Sequence, residues 1–200
     1  MKTRVLALTI LLMLAGQSFS QNYVTSFAWN IAFPTVNLQD YIGKVSFRGV
    51  GIGFQRFMSR HTALGFSFNW NAFDEKKVDL IPLEVGTVSG TQLRFVNSFP
   101  TMLTGRYYTD SGNRTKVYLG GQAGLALIIQ RINIGVVSLQ SSNWHLALAP
   151  EIGAEAPLGR TSLDFGVRYT YAFDSGTSLG GRDDNSYSYF VLHLGLAFSH

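Results

Sequence analysis

The sequence predicts an all-β protein, an eight-stranded antiparallel up-and-down barrel that crosses a membrane. Three observations predict it: eight segments alternate apolar with small or polar residues, their connections alternate between short and long, and the ionisable residues inside the segments share one face. A period of two residues is that of a β-strand, whose successive side chains point to opposite sides of the sheet. Charged residues make up only 14% of the chain and there are 21 glycines, which suits a β-protein with few water-facing positions.

The first twenty residues have the pattern of a secretory leader. Lys2 and Arg4 precede an apolar stretch that ends at Ala15 and is too short to cross a bilayer. The small residues around Ser20 are of the kind that a signal peptidase recognises. We therefore predict a cleaved signal peptide at residues 1–20. The chain contains no cysteine, so lipoprotein anchoring and disulfides are not expected.

The exported part, residues 21–200, is predicted to form one barrel domain. The clearest alternation is LGFSFNWNAF, residues 64–73, in which leucine, phenylalanine and tryptophan alternate with glycine, serine and asparagine. The predicted strands are residues 24–33, 46–57, 64–73, 99–108, 117–130, 144–156, 162–173 and 187–198.

The connections between these segments alternate in length. Residues 58–62, 109–116 and 157–161 are short and turn-like, whereas residues 34–45, 74–98, 131–143 and 174–186 are longer. Barrels of bacterial outer membranes have short periplasmic turns and long external loops, so we place both chain ends in the periplasm. Residues 78–90 of the longest connection are apolar enough to extend strands three and four as a protruding hairpin.

The ionisable residues decide which face of the strands is internal. The charged residues Arg106, Glu151, Glu155, Asp164 and Arg168 share a face with glycine, serine and asparagine, as do two histidines. Facing lipid at mid-depth, an arginine or lysine would cost about 2–4 kcal/mol, and unpaired charges in a soluble apolar core are also costly. The lumen of an eight-stranded barrel is narrow enough for side chains to fill and pair across it. We predict that these five residues form a structural charge network in the lumen.

Strand register predicts which of these residues meet. Joining strands six and seven through their short turn pairs Ala156 with Leu163, which places Glu151 opposite Arg168 and Glu155 opposite Asp164. Arg106 lies at a similar depth and can neutralise the two facing acids. A path for protons or solutes is the alternative role for this network.

Two further features concern the apolar face. Its aromatic residues collect at strand ends, as expected where rings meet lipid headgroups. They are Phe33, Trp70, Trp144, Tyr171 and Phe173 at the outer end, and Phe54, Tyr107, Phe165 and Phe198 at the periplasmic end. Pro150 lies inside strand six and cannot donate to the ladder, so a bulge or a lost hydrogen bond is predicted there.

With these features the chain resembles the small eight-stranded outer-membrane barrels typified by the OmpA membrane domain and OmpX. The resemblance rests on the leader, the eight alternating segments, the loop lengths and the closing strand YFVLHLGLAF, Tyr189 to Phe198. Such barrels end in an aromatic residue that the assembly machinery reads, whereas here Phe198 is followed by two more residues. The resemblance implies a monomer in the outer membrane of a Gram-negative bacterium. Its implied partners are outer-membrane lipid, with lipopolysaccharide as a candidate, and the barrel-assembly machinery during biogenesis.

Resemblance of fold does not fix activity. The leading hypothesis is a non-enzymatic outer-membrane protein whose barrel anchors surface loops in a structural or interaction role. A narrow porin-like channel is one alternative, because glycines thin the inner wall. A lipid-modifying enzyme is less favoured, because no histidine lies beside a serine on the lipid face. A soluble lipid-binding barrel would require the reverse placement of apolar and charged residues. We predict no catalytic, cofactor-binding or metal-binding residue, and no nucleic-acid partner.

Overall fold

The chain folds into one closed barrel of eight antiparallel strands in sequence order. The computed structural model describes residues 23–83, 86–109, 115–134, 137–159, 161–176 and 185–199. The strands are β1 (Tyr23–Thr35), β2 (Ser46–Phe57), β3 (Thr62–Leu83), β4 (Gly86–Tyr108), β5 (Lys116–Ile134), β6 (Val137–Leu158), β7 (Thr161–Ala172) and β8 (Tyr187–Ser199), and a short helix, α1 (Val36–Tyr41), follows β1. The predicted fold class is confirmed, and the predicted signal peptide lies outside the described residues.

The barrel closes where β1 pairs with β8, in one unbroken register from Val24 opposite Ser199 to Thr35 opposite Ser188. Each strand therefore has a hydrogen-bonded neighbour on both sides, which satisfies backbone groups that lipid could not. Among the described residues, no helix is long and apolar enough to cross a bilayer.

The register predicted for β6 and β7 is confirmed. Ala156 pairs with Leu163, Glu151 lies opposite Arg168, and Glu155 lies opposite Asp164. The ladder is interrupted at Ala149 and Pro150 and resumes in the same register beyond them. The interruption agrees with the predicted loss of pairing at the proline, which has no N–H to donate.

Four neighbouring strands continue beyond the others at the outer end of the barrel. β3 and β4 pair as far as Leu83 opposite Gly86, which confirms the predicted protruding hairpin. The prediction of a loop at residues 131–143 is wrong, because β5 and β6 pair there up to Ile134 opposite Val137. The outward positions of this segment stand in water and need not be apolar, so Arg131 is exposed there while Ile132 is buried on the inner side. The lipid-facing alternation ends, although the backbone pairing continues.

The burial pattern is inverted relative to a soluble protein. Leu103 and Leu119, on the outer face of β4 and β5, are 71% and 65% exposed, whereas Arg106 and Glu151 are only 7% and 2% exposed. In water such a continuous apolar surface would be a liability. A surface that contacts the hydrocarbon of a bilayer must be apolar. The predicted orientation, with apolar residues outward and charged residues in the lumen, is therefore confirmed.

Candidate functional site

Arg106 is the centre of a buried cluster in the periplasmic half of the lumen. Its Nε donates to Glu151 Oε1 at 2.7 Å. Its Nη1 lies 3.4 Å from Asp164 Oδ2 and 3.6 Å from Glu155 Oε1. The guanidinium also stacks over the ring of Tyr118, 4.2 Å from the centroid. One cation thus bridges three acids that β6 and β7 place inside the barrel.

The backbone beside this cluster has no room for a side chain at one position. A Cβ at Gly120 would lie 3.0 Å from both Arg106 Cγ and Glu151 Oε1, and 2.7 Å from the carbonyl oxygen of Gly105. Since the clash involves backbone as well as side chain, glycine at position 120 is what allows arginine and glutamate to meet.

Neutral donors complete the coordination of each acid. Tyr108 Oη donates to Glu155 Oε1 at 2.7 Å, Tyr118 Oη donates to Asp164 Oδ1 at 2.8 Å, and Gln122 Nε2 donates to Glu151 Oε2 at 2.8 Å. Tyr118 Oη also lies 2.9 Å from His193 Nε2. Charges in a low-dielectric site are tolerated when they are paired and hydrogen-bonded in this way.

Arg168 lies opposite Glu151 on the neighbouring strand, as predicted. The Glu151 carboxylate is nevertheless bound by Arg106, which lies two strands away on β4. Arg168 Nη2 instead donates to Asn69 Oδ1 at 2.9 Å. Arg106 and Glu151 both pair with Gly120 of β5, from β4 and from β6. The contact therefore passes over the glycine of the strand between them, and predicting it requires the registers of both β4–β5 and β5–β6.

A small polar cavity lies beside these residues. It has a volume of about 30 Å³ and is lined by side chains that include Asn30, Asn69, Thr104, Arg168 and His193. A space of this size accommodates about one or two water molecules. It is far too small for a solute path.

The outer half of the lumen is filled by apolar side chains. Two ring systems, Phe73 and Tyr189, meet edge to face with centroids 5.4 Å apart. Helix α1 and the residue after it insert Leu38, Tyr41 and Ile42 into the same cluster. The remaining members are Ala32, Val96, Met102, Ala126, Ile128, Ile132, Ala147, Ala149, Ala172, Tyr187 and Val191. We call this group the apolar plug.

Sequence reasoning missed the apolar plug as a unit. The sequence did contain a sign of the plug, because Phe73 shares the inward face of its strand with Asn71. Met102 and Val191 likewise share an inward face with polar residues. The contribution of α1 could not be read from alternation, since a six-residue helix in a connection carries no strand period.

Aromatic side chains occupy both ends of the outer surface, as predicted. Trp144 and Phe173 are exposed at the outer end, and Tyr107 and Phe165 are exposed at the periplasmic end. Trp70 stacks on Phe99 with centroids 6.3 Å apart. The two rims are thus amphipathic, as expected at membrane interfaces.

Comparison with known proteins gives a match in structure alone. No protein-family profile and no curated protein sequence matches the chain. Among solved structures, Neisserial surface protein A superposes with a TM-score of 0.56 at 19% identity, covering 89% of this chain and 96% of that one. The fold is that of the small outer-membrane barrels.

Two more distant structures of this class also match. The attachment invasion protein Ail of Yersinia pestis has a TM-score of 0.49 at 9% identity, covering 90% of this chain and 97% of that one. The N-terminal barrel of OprF from Pseudomonas aeruginosa has a TM-score of 0.44 at 12% identity, covering 90% and 100%. The closed barrel of eight strands and its likeness to Neisserial surface protein A confirm the predicted kind of protein, a barrel of the outer-membrane type, at the level of the fold.

Proposed function

We propose that the chain is an integral outer-membrane protein of a Gram-negative bacterium, without catalytic activity, that holds a rigid sheet outside the cell as an interaction surface. The observation that carries this proposal is a barrel that is filled along its length while four of its strands continue beyond it. A filled lumen suits an anchor better than a conduit.

The external sheet follows from unequal pairing around the barrel. β2 stops pairing with β3 at Arg48 opposite Ala72, and β7 stops pairing with β6 at Ala172 opposite Ala147. Between these limits β3, β4, β5 and β6 continue together. From Ala72 to Leu83 the extension of β3 spans roughly 36 Å at about 3.3 Å per residue, which is long enough to stand clear of the lipid headgroups.

The charge network is proposed to serve stability. Arg106, Glu151, Glu155, Asp164 and Arg168 are all buried, and the apolar plug lies between them and the outer end. A proton or solute entering from the periplasm would meet this plug, so these residues are better suited to hold the wall together than to conduct.

The histidines support the absence of catalysis. His145 Nδ1 lies 2.8 Å from the carbonyl oxygen of Phe173, His193 contacts Tyr118 inside the lumen, and His61 stacks on Tyr107 at the periplasmic rim. His200 lies outside the described residues. Acyl-transfer chemistry needs a histidine that reaches a serine where lipid arrives, and the buried positions of His145 and His193 do not supply it.

The partners follow from the same geometry. The exposed apolar belt fits outer-membrane lipid, with lipopolysaccharide as the lipid of the outer leaflet. We also propose that the chain has a cleaved leader at residues 1–20, uses the barrel-assembly machinery for insertion, and is a monomer.

Electrical recording tests the proposal against the porin-like alternative. Purified protein in a planar lipid bilayer is expected to give no discrete conductance steps, because the apolar plug and the Arg106 cluster fill the lumen in series. A sixteen-stranded porin inserted under the same conditions serves as the control for fusion and detection. Reproducible single-channel steps from the folded protein would overturn the anchoring role in favour of a conduit.

A further inference from the structure

A pocket on the outside of the barrel lies just beyond the outer aromatic rim. It has a volume of about 210 Å³ and is lined by Phe95, Asn97, Ile129, Arg131 and Asn133. All five are odd-numbered residues of β4 and β5, on the same side of these strands as the lipid-facing Leu103 and Leu119. The pocket therefore opens outward and belongs neither to the lumen nor to the apolar plug.

The height of the pocket above the membrane follows from strand geometry. Asn97 and Phe95 lie two and four residues beyond Phe99, whose ring stacks on Trp70 at the outer rim. At about 3.3 Å per residue along a strand tilted by about 40°, Phe95 stands roughly 10 Å above that rim. This is the level of the polar heads of the outer leaflet.

The polar groups of the pocket are arranged as donors. Arg131 is exposed, and its Nε and Nη2 lie 3.2 and 2.8 Å from Gln140 Oε1. Within the described part of the chain no carboxylate lies within 4 Å of Arg131, so its charge is not neutralised. Asn97 Oδ1 accepts from Trp70 Nε1 and Asn133 Oδ1 accepts from Ser138 Oγ, which leaves both amide NH₂ groups to donate.

The apolar part of the pocket completes the chemistry. Phe95 is half-buried and pairs directly with Arg131 across the two strands. The ring of Phe95 matches the apolar face of a sugar, and the amide groups of Asn97 and Asn133 can donate to its hydroxyl groups. The guanidinium of Arg131 matches a phosphate on the sugar. The volume lies below the roughly 300–1,000 Å³ of drug-sized pockets, which suits one sugar ring.

We propose that this pocket binds the phosphorylated sugar head of an outer-leaflet glycolipid, with Arg131 on the phosphate and Phe95 under the sugar ring. This binding proposal rests on the proposed outer-membrane location. It adds to that location a specific site at which the barrel wall contacts a lipid. Height and charge identify this occupant, because Arg131, which has no acid partner among the described residues, stands where phosphorylated sugars are concentrated.

The test measures binding of rough lipopolysaccharide and its dephosphorylated form to the purified protein in detergent. The unchanged protein is expected to prefer the phosphorylated form by about tenfold, the value of one charge-assisted hydrogen bond pair. Arg131→Gln should lose that preference, and Phe95→Ala should weaken both forms alike, by about fivefold. Lys44→Gln is the matched control, because it removes an exposed positive charge from the connection before β2 at the outer end of the barrel, away from the strands of the pocket.

Two results would overturn the pocket. One is Arg131→Gln binding both glycolipids as the unchanged protein does. The other is an equal loss in Lys44→Gln, which would indicate diffuse surface charge. Folding of each variant is checked by its heat-dependent migration in gels, and Arg131 is exposed, so its replacement leaves the barrel intact. Conductance is measured on the same samples. If glycolipid binding fails while no channel steps appear, the pocket is wrong but the anchoring role still stands.

Discussion

Replacing Arg106 with methionine is expected to lower the free energy of unfolding by about 3–5 kcal/mol, the usual cost of removing one partner from a buried ion pair. The change would leave Glu151, Glu155 and Asp164 without the cation that contacts all three. Methionine keeps similar bulk, so the effect reports lost charge more than lost volume. Urea unfolding in lipid vesicles, followed by tryptophan fluorescence, measures it.

Two further variants show whether charge is the cause. Arg48→Met removes an exposed arginine from its pair with Asp74 and should change stability by no more than about 0.5 kcal/mol. Adding Glu151→Gln to the Arg106→Met variant should recover part of the loss, since one uncompensated carboxylate then becomes neutral. If Arg106→Met unfolds at the same urea concentration as the unchanged protein, the structural role of the network is wrong.

The second large effect is expected on the outer face. Leu103 points away from the lumen midway between the aromatic rims, and Leu103→Arg should destabilise the inserted barrel by about 2–4 kcal/mol, because the charge must then lie in hydrocarbon. The same vesicle unfolding experiment measures the effect.

Leu93→Arg is the matched control for this substitution. Leu93 is also an exposed leucine on the outward side of β4, but it lies six residues beyond Phe99 of the outer rim, where it pairs with Asn133 above the membrane. Arginine there meets water, so little change is expected. Equal destabilisation at both positions would mean that the hydrocarbon extends beyond the outer aromatic rim, contrary to the boundary proposed here.

Much of this architecture could be predicted from residue pattern because a membrane barrel imposes a strict rule on every strand. Each lipid-facing position must be apolar, so Leu64, Phe66 and Phe68 reveal their orientation without any knowledge of the neighbouring strands. The register of β6 and β7 was equally accessible, because a five-residue turn allows few ways to keep Glu151 and Glu155 inside.

What the pattern did not give was contact between strands that are not neighbours, and structure beyond the membrane. Arg106 and Glu151 meet over Gly120 of β5, and this contact needs the registers of β4–β5 and β5–β6, whereas alternation and turn length gave only the register of β6 and β7. Beyond the rim the apolar residues of β5 change face, because Ile132 packs into the apolar plug while Arg131 is exposed on the outward side. Residues 131–143 therefore do not continue the lipid-facing alternation by which the strands were recognised. The position of Leu38 of α1 inside the barrel could not be predicted either, because it depends on tertiary packing and not on strand alternation.

The orientation of the wall is tested most directly by single cysteines on β6, since the chain has none of its own. Leu148 faces outward and its neighbour Ala149 faces the lumen and is 1% exposed. A spin label on Leu148→Cys in vesicles is expected to be accessible to dissolved oxygen and shielded from a water-soluble nickel complex. A label on Leu139→Cys, in the external part of β6, should be accessible to the nickel complex, because Leu139 is exposed there. Ala149→Cys should resist labelling. Accessibility to nickel at position 148, with ready labelling at position 149, would contradict the claim that the apolar face lies against lipid.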